Sequence, residues 1–145
     1  MRALIQRVAE ASVTSDGTEV GRIGAGLCVL IGVTHSDDES MAPKMADKLW
    51  NLRLMDDAEG VMNVSVSDTT GELLLVSQFT LYGDARKGRR PGYTEAARPE
   101  QAEPIFHAVV AELEALGATV ATGRFRTEMQ VSLVNDGPVT LMIEL

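Results

Sequence analysis

The N-terminal part of the chain carries an apolar pattern that predicts β-strands. Residues 2–13 are rich in β-branched and aliphatic side chains and run into a turn at Ser15-Asp16-Gly17. Residues 19–23 are therefore expected to pair back across that turn as a β-hairpin. Residues 27–34 form a continuous apolar run, which is typical of a strand buried on both faces of its sheet.

The first helix is predicted from apolar residues that recur every three or four positions. Its start is open between two signals: Ser36 with Glu39 fits a capping box, whereas Pro43 favours Ser40 as the cap. Pro43 favours the later start because proline is tolerated only in the first turn of a helix. The apolar stripe is interpreted as core packing and comprises Met41, Ala42, Met45, Ala46 and Leu49.

The second helix is predicted over residues 99–116, and Gly117 is expected to end it just beyond the C-cap. Pro104 lies inside this range, so the position of the first turn stays open. We expect one face of this helix to be buried, namely Ile105, Phe106, Val109, Val110, Leu113 and Leu116.

Further strands complete the expected fold. Residues 72–76 form another buried strand after a turn at residues 57–60. Residues 129–134 and 139–145 are the last two strands, joined at residues 135–138. Because strands outnumber helices and do not alternate regularly with them, the sequence predicts a single α+β domain, residues 1–145. Its sheet is expected to be mainly antiparallel or mixed, with two helices packed on it.

Composition and charge narrow the class of protein. The chain has 145 residues, 45% of them hydrophobic, which suits one globular domain and excludes a disordered chain. Its formal net charge of −8 argues against general affinity for polyanions, so a nucleic-acid partner requires a local basic patch. The longest apolar run, residues 27–33, is far shorter than the roughly 20 residues of a membrane span. With one cysteine and no signal segment, we expect a cytoplasmic protein that works away from membranes.

Most familiar catalytic signatures are absent. The chain has no G-x-S-x-G elbow, phosphate-binding loop, dinucleotide-binding G-x-G-x-x-G or H-E-x-x-H helix. No metal site is predicted, because His35 and His107 are far apart and Cys28 sits in an apolar strand. We interpret His107 as a half-buried structural residue and Cys28 as a core residue. The chemistry is expected to need no metal, no cofactor and no histidine base.

Polar residues follow the buried strand at residues 72–76, in the segment Ser77-Gln78-Phe79-Thr80-Leu81. At a strand end, turning backbone can direct free N–H groups into a cleft, as an oxyanion hole requires. The alternative, which spacing alone favours, is a β-bulge whose Ser and Thr side chains satisfy their own backbone.

Gly137-Pro138 lies between the last two expected strands. Composition alone favours a tight turn, in which the proline can be cis. The functional alternative is a rigid main-chain probe of a ligand, since proline offers no N–H and glycine lets a ligand approach the backbone closely.

A basic segment stands apart from the acidic remainder of the chain. Arg86, Lys87, Arg89 and Arg90 are four of the 13 basic residues and lie within five positions. Such a run is usually a solvated loop. In a chain of net charge −8, however, a basic loop bordered by glycine and proline is a candidate phosphate-binding patch. If RNA is the partner, we expect it to meet this loop and Arg124.

Several segments together resemble one known family. Ser77-Gln78-Phe79-Thr80-Leu81 matches the S-Q-F-T-L signature of D-aminoacyl-tRNA deacylases, and residues 135–140 match their N-x-G-P-x-T signature. Further similarity lies at the positions numbered 3–8, 57–60, 122–125 and 129–134, so it runs nearly end to end. The chain resembles the bacterial type of the enzyme, and departs from it at Gly92-Tyr93, where many relatives have Ser-Phe.

The resemblance implies a barrel-like α+β fold and a homodimeric editing hydrolase without a cofactor. Enzymes of this family cleave the ester that joins a D-amino acid, or mischarged glycine, to the 3′ end of a tRNA. Their active site lies at the dimer interface. By this similarity, Ser77, Gln78, Phe79 and Thr80 would line the ester, with backbone N–H groups as oxyanion donors.

The same resemblance implies the residues that set specificity. Gly137 and a cis Pro138 from the other subunit would exclude L-amino acids, and Arg7 would brace that pair. Met129 and Tyr93 would border the pocket. A backbone wall suits this task because D and L side chains bury similar areas, so only a clash with a part that cannot move separates them. Glycine has no side chain to exclude and is expected to pass.

Alternatives remain open for both mechanism and function. Thr80 has no evident activating base, so assistance by the ribose 2′-hydroxyl ranks before Thr80 as a nucleophile. A related editing domain that removes an L-amino acid is the competing enzyme, and Gly137-Pro138 counts against it. A non-catalytic dimer that binds RNA ends or nucleotides is the alternative from another class. The intact S-Q-F-T-L and G-P segments count against a pure binder.

Overall fold

The N-terminal hairpin is the framework of the sheet. The computed structural model describes residues 1–145, and its first two strands are β1 (Arg2–Ser15) and β2 (Thr18–Ile23). Ser15 pairs with Thr18, so only Asp16 and Gly17 make the turn, with φ of 50° and 75°. Two positive φ values are what a type I′ turn needs. The predicted hairpin is confirmed, and β1 extends past residue 13 to the turn itself.

The remaining strands build a mixed sheet that curls toward a barrel. They are β3 (Gly26–Gly32), β4 (Met55–Asp56), β5 (Met62–Val64), β6 (Glu72–Ser77), β7 (Val120–Thr122) and β8 (Met129–Glu144). The order is β2-β1-β3-β6-β7, with β8 on the other side of β1, while β4 and β5 form a separate hairpin. The β3–β6 and β6–β7 pairs are parallel and the others antiparallel. The ends of the sheet approach each other, because a Cβ atom added at Gly21 in β2 would lie 2.8 Å from the carbonyl oxygen of Thr122 in β7.

Burial on both faces explains the continuous apolar runs. Along β6, Leu73 and Leu75 face the cluster that includes both helices, whereas Leu74 and Val76 face a smaller cluster on the opposite side of the sheet. Cys28 belongs to that smaller cluster, and burial raises the pKa of its thiol to about 11. The predictions of two buried central strands and of a core cysteine are confirmed. The predicted α+β fold with a mixed sheet and two helices is confirmed as well.

Helix α1 (Ala42–Asn51) begins later than the capping box predicts. A 3₁₀ turn, Glu39–Met41, precedes it and is capped by Asp38, whose side chain accepts a hydrogen bond from the Ser40 backbone N–H at 2.9 Å. Neither Ser36 nor Ser40 caps the helix, so both expected caps are wrong. Asp38 caps the 3₁₀ turn because its carboxylate satisfies a first N–H group of that turn, and α1 follows it with Met41 at its N-cap and no side-chain cap.

Helix α2 (Pro99–Ala115) has Pro104 inside it and Leu116 as its C-cap, and Gly117 stands just beyond the cap as predicted, with φ of 97°. The N–H of Ala118 donates to the carbonyl of Leu113, which closes the C-terminus in the manner of a Schellman motif. Leu116 is 44% exposed, so its place on the predicted buried face is wrong; Ala102 is buried instead. Neither helix is long and apolar enough to span a lipid bilayer.

Strand β8 runs without a break where two strands were expected. Its pairing with β1 is irregular at two places, and at the second Ala9 is an extra residue of β1 between Val8 and Glu10. At the first, Gln6 faces Thr140 and Val8 faces Asn135, so Arg7 alone stands opposite residues 136–139. The extra residues form a bulge that protrudes from the strand, and Gly137-Pro138 is at its tip. The expectation of a separate tight turn is therefore corrected: β1 is long enough to pair with both halves of β8.

Candidate active site

The polar segment after β6 folds as a 3₁₀ turn. Strand β6 ends at Ser77, the Gln78 N–H donates to the Ile31 carbonyl at 2.7 Å, and the turn spans Phe79–Tyr82. The β-bulge that spacing alone favours is wrong. Gln78 and Thr80 close the turn instead, because their carbonyls accept from the N–H groups of Leu81 and Gly83.

The start of this turn leaves backbone donors free. The N–H groups of Phe79 and Thr80 precede the first donor of the turn, the N–H of Leu81, and have no acceptor in the chain. The Gln78 side-chain amide donates to the Thr80 hydroxyl. No titratable group bonds to that hydroxyl, so no general base activates it within this chain.

A cavity of about 650 Å³ opens beside the turn. Ser77, Gln78 and Phe79 line one side of it, and Tyr93 and Met129 lie in its wall. The volume falls within the range of about 300–1,000 Å³ usual for ligand sites. The structure therefore brings five of the nine residues expected at the active site to one cavity. Its apolar lining includes Val33, Val76, Phe125 and Val131.

Two aromatic rings stand at the cavity mouth. Phe79 is 55% exposed, and its ring meets that of Tyr93 edge to face, with centroids 5.2 Å apart. Tyr93 approaches so closely that a Cβ atom added at Gly83 would lie 3.0 Å from its Cε1 atom. An exposed aromatic pair beside a cavity offers a planar apolar surface to a ligand.

Gly137 and Pro138 lie outside this cavity. Their peptide bond is cis, Gly137 has φ of 115°, and both residues are exposed on the bulge of β8. Thr80 and Arg7 are not part of the cavity wall either. A single chain thus carries the two motifs at separate places.

Arg7 ties the bulge to the body of the protein. It is only 6% exposed, and its guanidinium donates to the Leu54 carbonyl at 2.9 Å and to the Asp56 carboxylate at 2.8 Å. Its Nε donates to the carbonyl of Asp136, directly before Gly137, at 3.3 Å. One buried cation therefore joins the β4–β5 hairpin to the bulge.

Asn135 belongs to the matched N-x-G-P-x-T signature, but no role was predicted for it from the sequence. Its side-chain amide donates to the carbonyls of Arg7 at 2.9 Å and of Val139 at 3.1 Å. These two bonds span the base of the bulge. A polar amide two residues before Gly137-Pro138 was the available signal, since Asn bonds readily to nearby backbone.

The basic loop is less positive than its sequence suggests. Arg86 forms a two-pronged ion pair with Asp84, at 2.7 and 2.9 Å, and these hydrogen bonds lower the pKa of Asp84 to about 2. Lys87, Arg89 and Arg90 are exposed and form no ion pair within the chain. Three of the four expected phosphate contacts thus remain free.

Neither histidine lines the cavity. His35 contacts the Thr94 carbonyl at 2.7 Å, and His107 lies 3.9 Å from Glu103 on α2. His107 is exposed, so its expected half-buried place is wrong; Phe106 occupies the inward position beside it. No three His, Cys, Asp or Glu side chains converge as a metal site would require.

Known proteins resemble this chain over its whole length. The family model described as D-Tyr-tRNA(Tyr) deacylase matches residues 4–144. A D-aminoacyl-tRNA deacylase of Heliobacterium modesticaldum is 58% identical over 99% of this chain and 96% of its own length.

Solved structures share the fold. A c-Myc DNA unwinding element binding protein is 38% identical and superimposes with a TM-score of 0.93 over 100% of this chain and 99% of its own. A probable eukaryotic D-amino acid tRNA deacylase, 16% identical, has the same fold, with a TM-score of 0.84 over 99% and 98% of the two chains. The sequence relationship is full-length and well above the level at which family membership is in question. This chain therefore belongs to the D-Tyr-tRNA(Tyr) deacylase family of hydrolases.

Proposed function

We propose that this chain hydrolyses the ester bond between a D-amino acid, or mischarged glycine, and the 3′ end of a tRNA, and that it spares L-aminoacyl esters. The observation that carries the proposal is the cavity beside the 3₁₀ turn: Phe79 lines it, and the N–H groups of Phe79 and of the next residue, Thr80, lack acceptors within the chain. Family membership supplies the class of substrate. Aminoacyl-tRNA is met in the cytoplasm, where we expect the protein to work.

The chemistry needs charge stabilisation more than a base. Attack on the ester carbonyl puts negative charge on its oxygen. Two N–H donors that are already fixed in place stabilise that charge without having to reorient. The ribose 2′-hydroxyl beside the ester assists the attack from the substrate side. Thr80 ranks second as the nucleophile, because its hydroxyl contacts only the Gln78 amide.

Chiral selection is assigned to Gly137 and Pro138. A main-chain wall has no rotamers, so an L side chain pointing at it meets a clash that cannot relax. Arg7 and Asn135 hold the wall by hydrogen bonds to the backbone on either side of it. Glycine esters pass the same wall because they carry no side chain.

A second copy of the chain is proposed to bring this wall to the cavity. Three observations support a homodimer: the wall is exposed and outside the cavity of its own chain, β8 pairs on one side only, and Val134 and Met142 on β8 are 52% and 47% exposed. Mixing Thr80→Ala with Gly137→Ala protein is expected to restore activity above the sum of the two variants. Mixed dimers contain one intact site, whereas no recovery would assign both motifs to one chain.

The tRNA is proposed to meet the loop that carries Lys87, Arg89 and Arg90, with Arg86 in part neutralised by Asp84. These cations concentrate positive charge in a chain whose net charge is −8. Phosphate contacts of this kind position RNA without reading its sequence.

The decisive experiment is paired deacylation of D-tyrosyl-tRNA and L-tyrosyl-tRNA at equal enzyme, with a metal chelator present. Release of the D amino acid alone supports chiral editing by a metal-independent site. Cleavage of both esters would remove the chiral role of Gly137 and Pro138. Cleavage of neither would favour a non-catalytic protein that binds RNA ends or nucleotides, and the DNA-binding name of one structural relative gives that alternative a precedent.

A further inference from the structure

One arginine at the cavity has a backbone conformation that L-residues rarely adopt. Arg126 lies in the cavity wall and has φ of 62°, in the left-handed region. Glycine adopts this region freely, while a side chain such as that of arginine meets its own backbone there. Such residues persist where the surrounding structure enforces them, often at binding sites.

The neighbours of Arg126 hold the turn in place. Ser15, fully buried at the end of β1, donates its hydroxyl to Thr127 at 2.8 Å, and the Thr127 hydroxyl donates to the Arg124 carbonyl at 3.0 Å. On the other side Phe125 packs against Phe106, with ring centroids 6.3 Å apart. The Arg126 backbone is thus fixed from both directions.

The guanidinium of Arg126 is free, whereas those of four other arginines form ion pairs. Arg126 is exposed, and its side chain makes no hydrogen bond or ion pair within the chain. Arg2, Arg7, Arg22 and Arg86 all pair with carboxylates. The cavity wall holds one other charged residue, Glu128, which is exposed and forms no ion pair with Arg126. The cavity mouth therefore presents one unneutralised cation on an acidic protein.

We propose that Arg126 binds a phosphate of the RNA backbone where the tRNA 3′ end leaves the cavity. This inference rests on the proposed function, which places the terminal nucleoside and its ester in the cavity. The next group along the chain is then the phosphate 5′ of that nucleoside, at the mouth. A planar guanidinium fits phosphate oxygens with two hydrogen bonds.

The test compares two substrates that differ only in that phosphate and the RNA beyond it: D-tyrosyl-tRNA and 3′-O-(D-tyrosyl)adenosine. Arg126→Gln is expected to raise KM for D-tyrosyl-tRNA about tenfold, the usual worth of one charged hydrogen bond, with kcat little changed. The KM for the adenosine ester should change less than twofold. Arg126→Lys should recover part of the loss, and Lys44→Gln, which removes an exposed cation from α1 away from the cavity, should change neither substrate.

A second variant separates binding from backbone strain. Arg126→Gly removes the charge and relieves the left-handed conformation. We therefore expect it to raise Tm by about 2–4 °C and to raise the KM for D-tyrosyl-tRNA as much as Arg126→Gln does. Equal effects of Arg126→Gln on both substrates, or no effect on either, would overturn the proposal. Failure of the wild-type protein to cleave even the adenosine ester would instead overturn the deacylase function itself, and the Arg126 role with it.

Discussion

Replacing Gly137 by alanine tests how the exposed bulge is held. Gly137 has φ of 115°, and an added Cβ atom would lie 2.8 Å from Nη2 of Arg7 and 2.8 Å from Cγ2 of Val139. Arg7 cannot move away easily, since it is buried and its guanidinium already donates to Leu54, Asp56 and Asp136. The new methyl group must therefore displace either this hydrogen-bonded cation or the bulge itself.

The size of the effect follows from two contributions. A left-handed conformation costs an L-residue about 1–2 kcal/mol, and loss of one hydrogen bond to the buried charge costs about 1.5–3 kcal/mol. We therefore expect Gly137→Ala to lower the unfolding free energy by about 2.5–5 kcal/mol and Tm by about 5–20 °C. A displaced wall should also reduce D-tyrosyl-tRNA turnover about a hundredfold, the scale expected for a misplacement near 1 Å.

Gly117→Ala is the matched control. Gly117 also has positive φ, at 97°, but an added Cβ atom there meets nothing within 4 Å. The Gly117→Ala variant therefore has the unfavourable backbone conformation without the steric clash. We expect its unfolding free energy to fall by about 1 kcal/mol and its turnover to stay normal. The assays are thermal unfolding and single-turnover deacylation of D- and L-tyrosyl-tRNA. Wild-type turnover and wild-type rejection of the L ester by folded Gly137→Ala protein would refute the reasoning.

Three further predictions concern the other proposed parts of the site and the core. Thr80→Ala should lower kcat about tenfold to a hundredfold with stability changed by less than about 0.5 kcal/mol, because the hydroxyl is exposed; unchanged turnover removes Thr80 from the site. The double variant Arg89→Gln/Arg90→Gln should bind tRNA more weakly, and the slope of log binding constant against log salt concentration should become shallower by about 0.7–0.9 per lost contact. Binding titrations at several salt concentrations measure that slope; an unaltered slope would mean that the loop makes no phosphate contact. Because burial raises the Cys28 pKa to about 11, the thiol should stay unreactive toward an alkylating reagent at pH 8 until the protein unfolds; rapid labelling of native protein would contradict its place in the core.

Local pattern predicted the long elements of the fold and missed the short ones. The strand runs of β1, β3 and β6 are readable because their burial is enforced along many residues. Strand β7 has three residues and β4 has two. Such short strands form because a neighbouring strand is there to pair with, and the local sequence does not show which segments become neighbours in the fold. The predicted start of α1 was wrong for a similar reason: several nearby polar residues could cap a helix there, and Asp38 caps a 3₁₀ turn that precedes α1.

The candidate site was likewise predictable from local sequence only in part. The segment at 77–81 was conspicuous because polar residues followed a buried strand, but only the fold places Tyr93 and Met129 in the same cavity wall. Arg7 as a buried link between two segments required knowledge of what lies opposite it. Arg126 carried no signal at all, because left-handed backbone is announced in a sequence by glycine or asparagine and not by arginine.

The proposed site depends on backbone groups that other residues must hold still, and this shapes how mutations will act. Its oxyanion donors are N–H groups at the start of a 3₁₀ turn, and its chiral wall is the main chain of a bulge. Neither can be deleted by changing one side chain. The sensitive positions are instead those whose side chains fix the backbone: Gln78 through the bond from its amide to the Thr80 hydroxyl, and Arg7 and Asn135 through their bonds around the bulge. Loss of activity from such changes reflects displaced backbone. It should therefore appear as a lower kcat for D-aminoacyl esters together with some cleavage of L-aminoacyl esters, because the same wall positions the D ester and excludes the L ester.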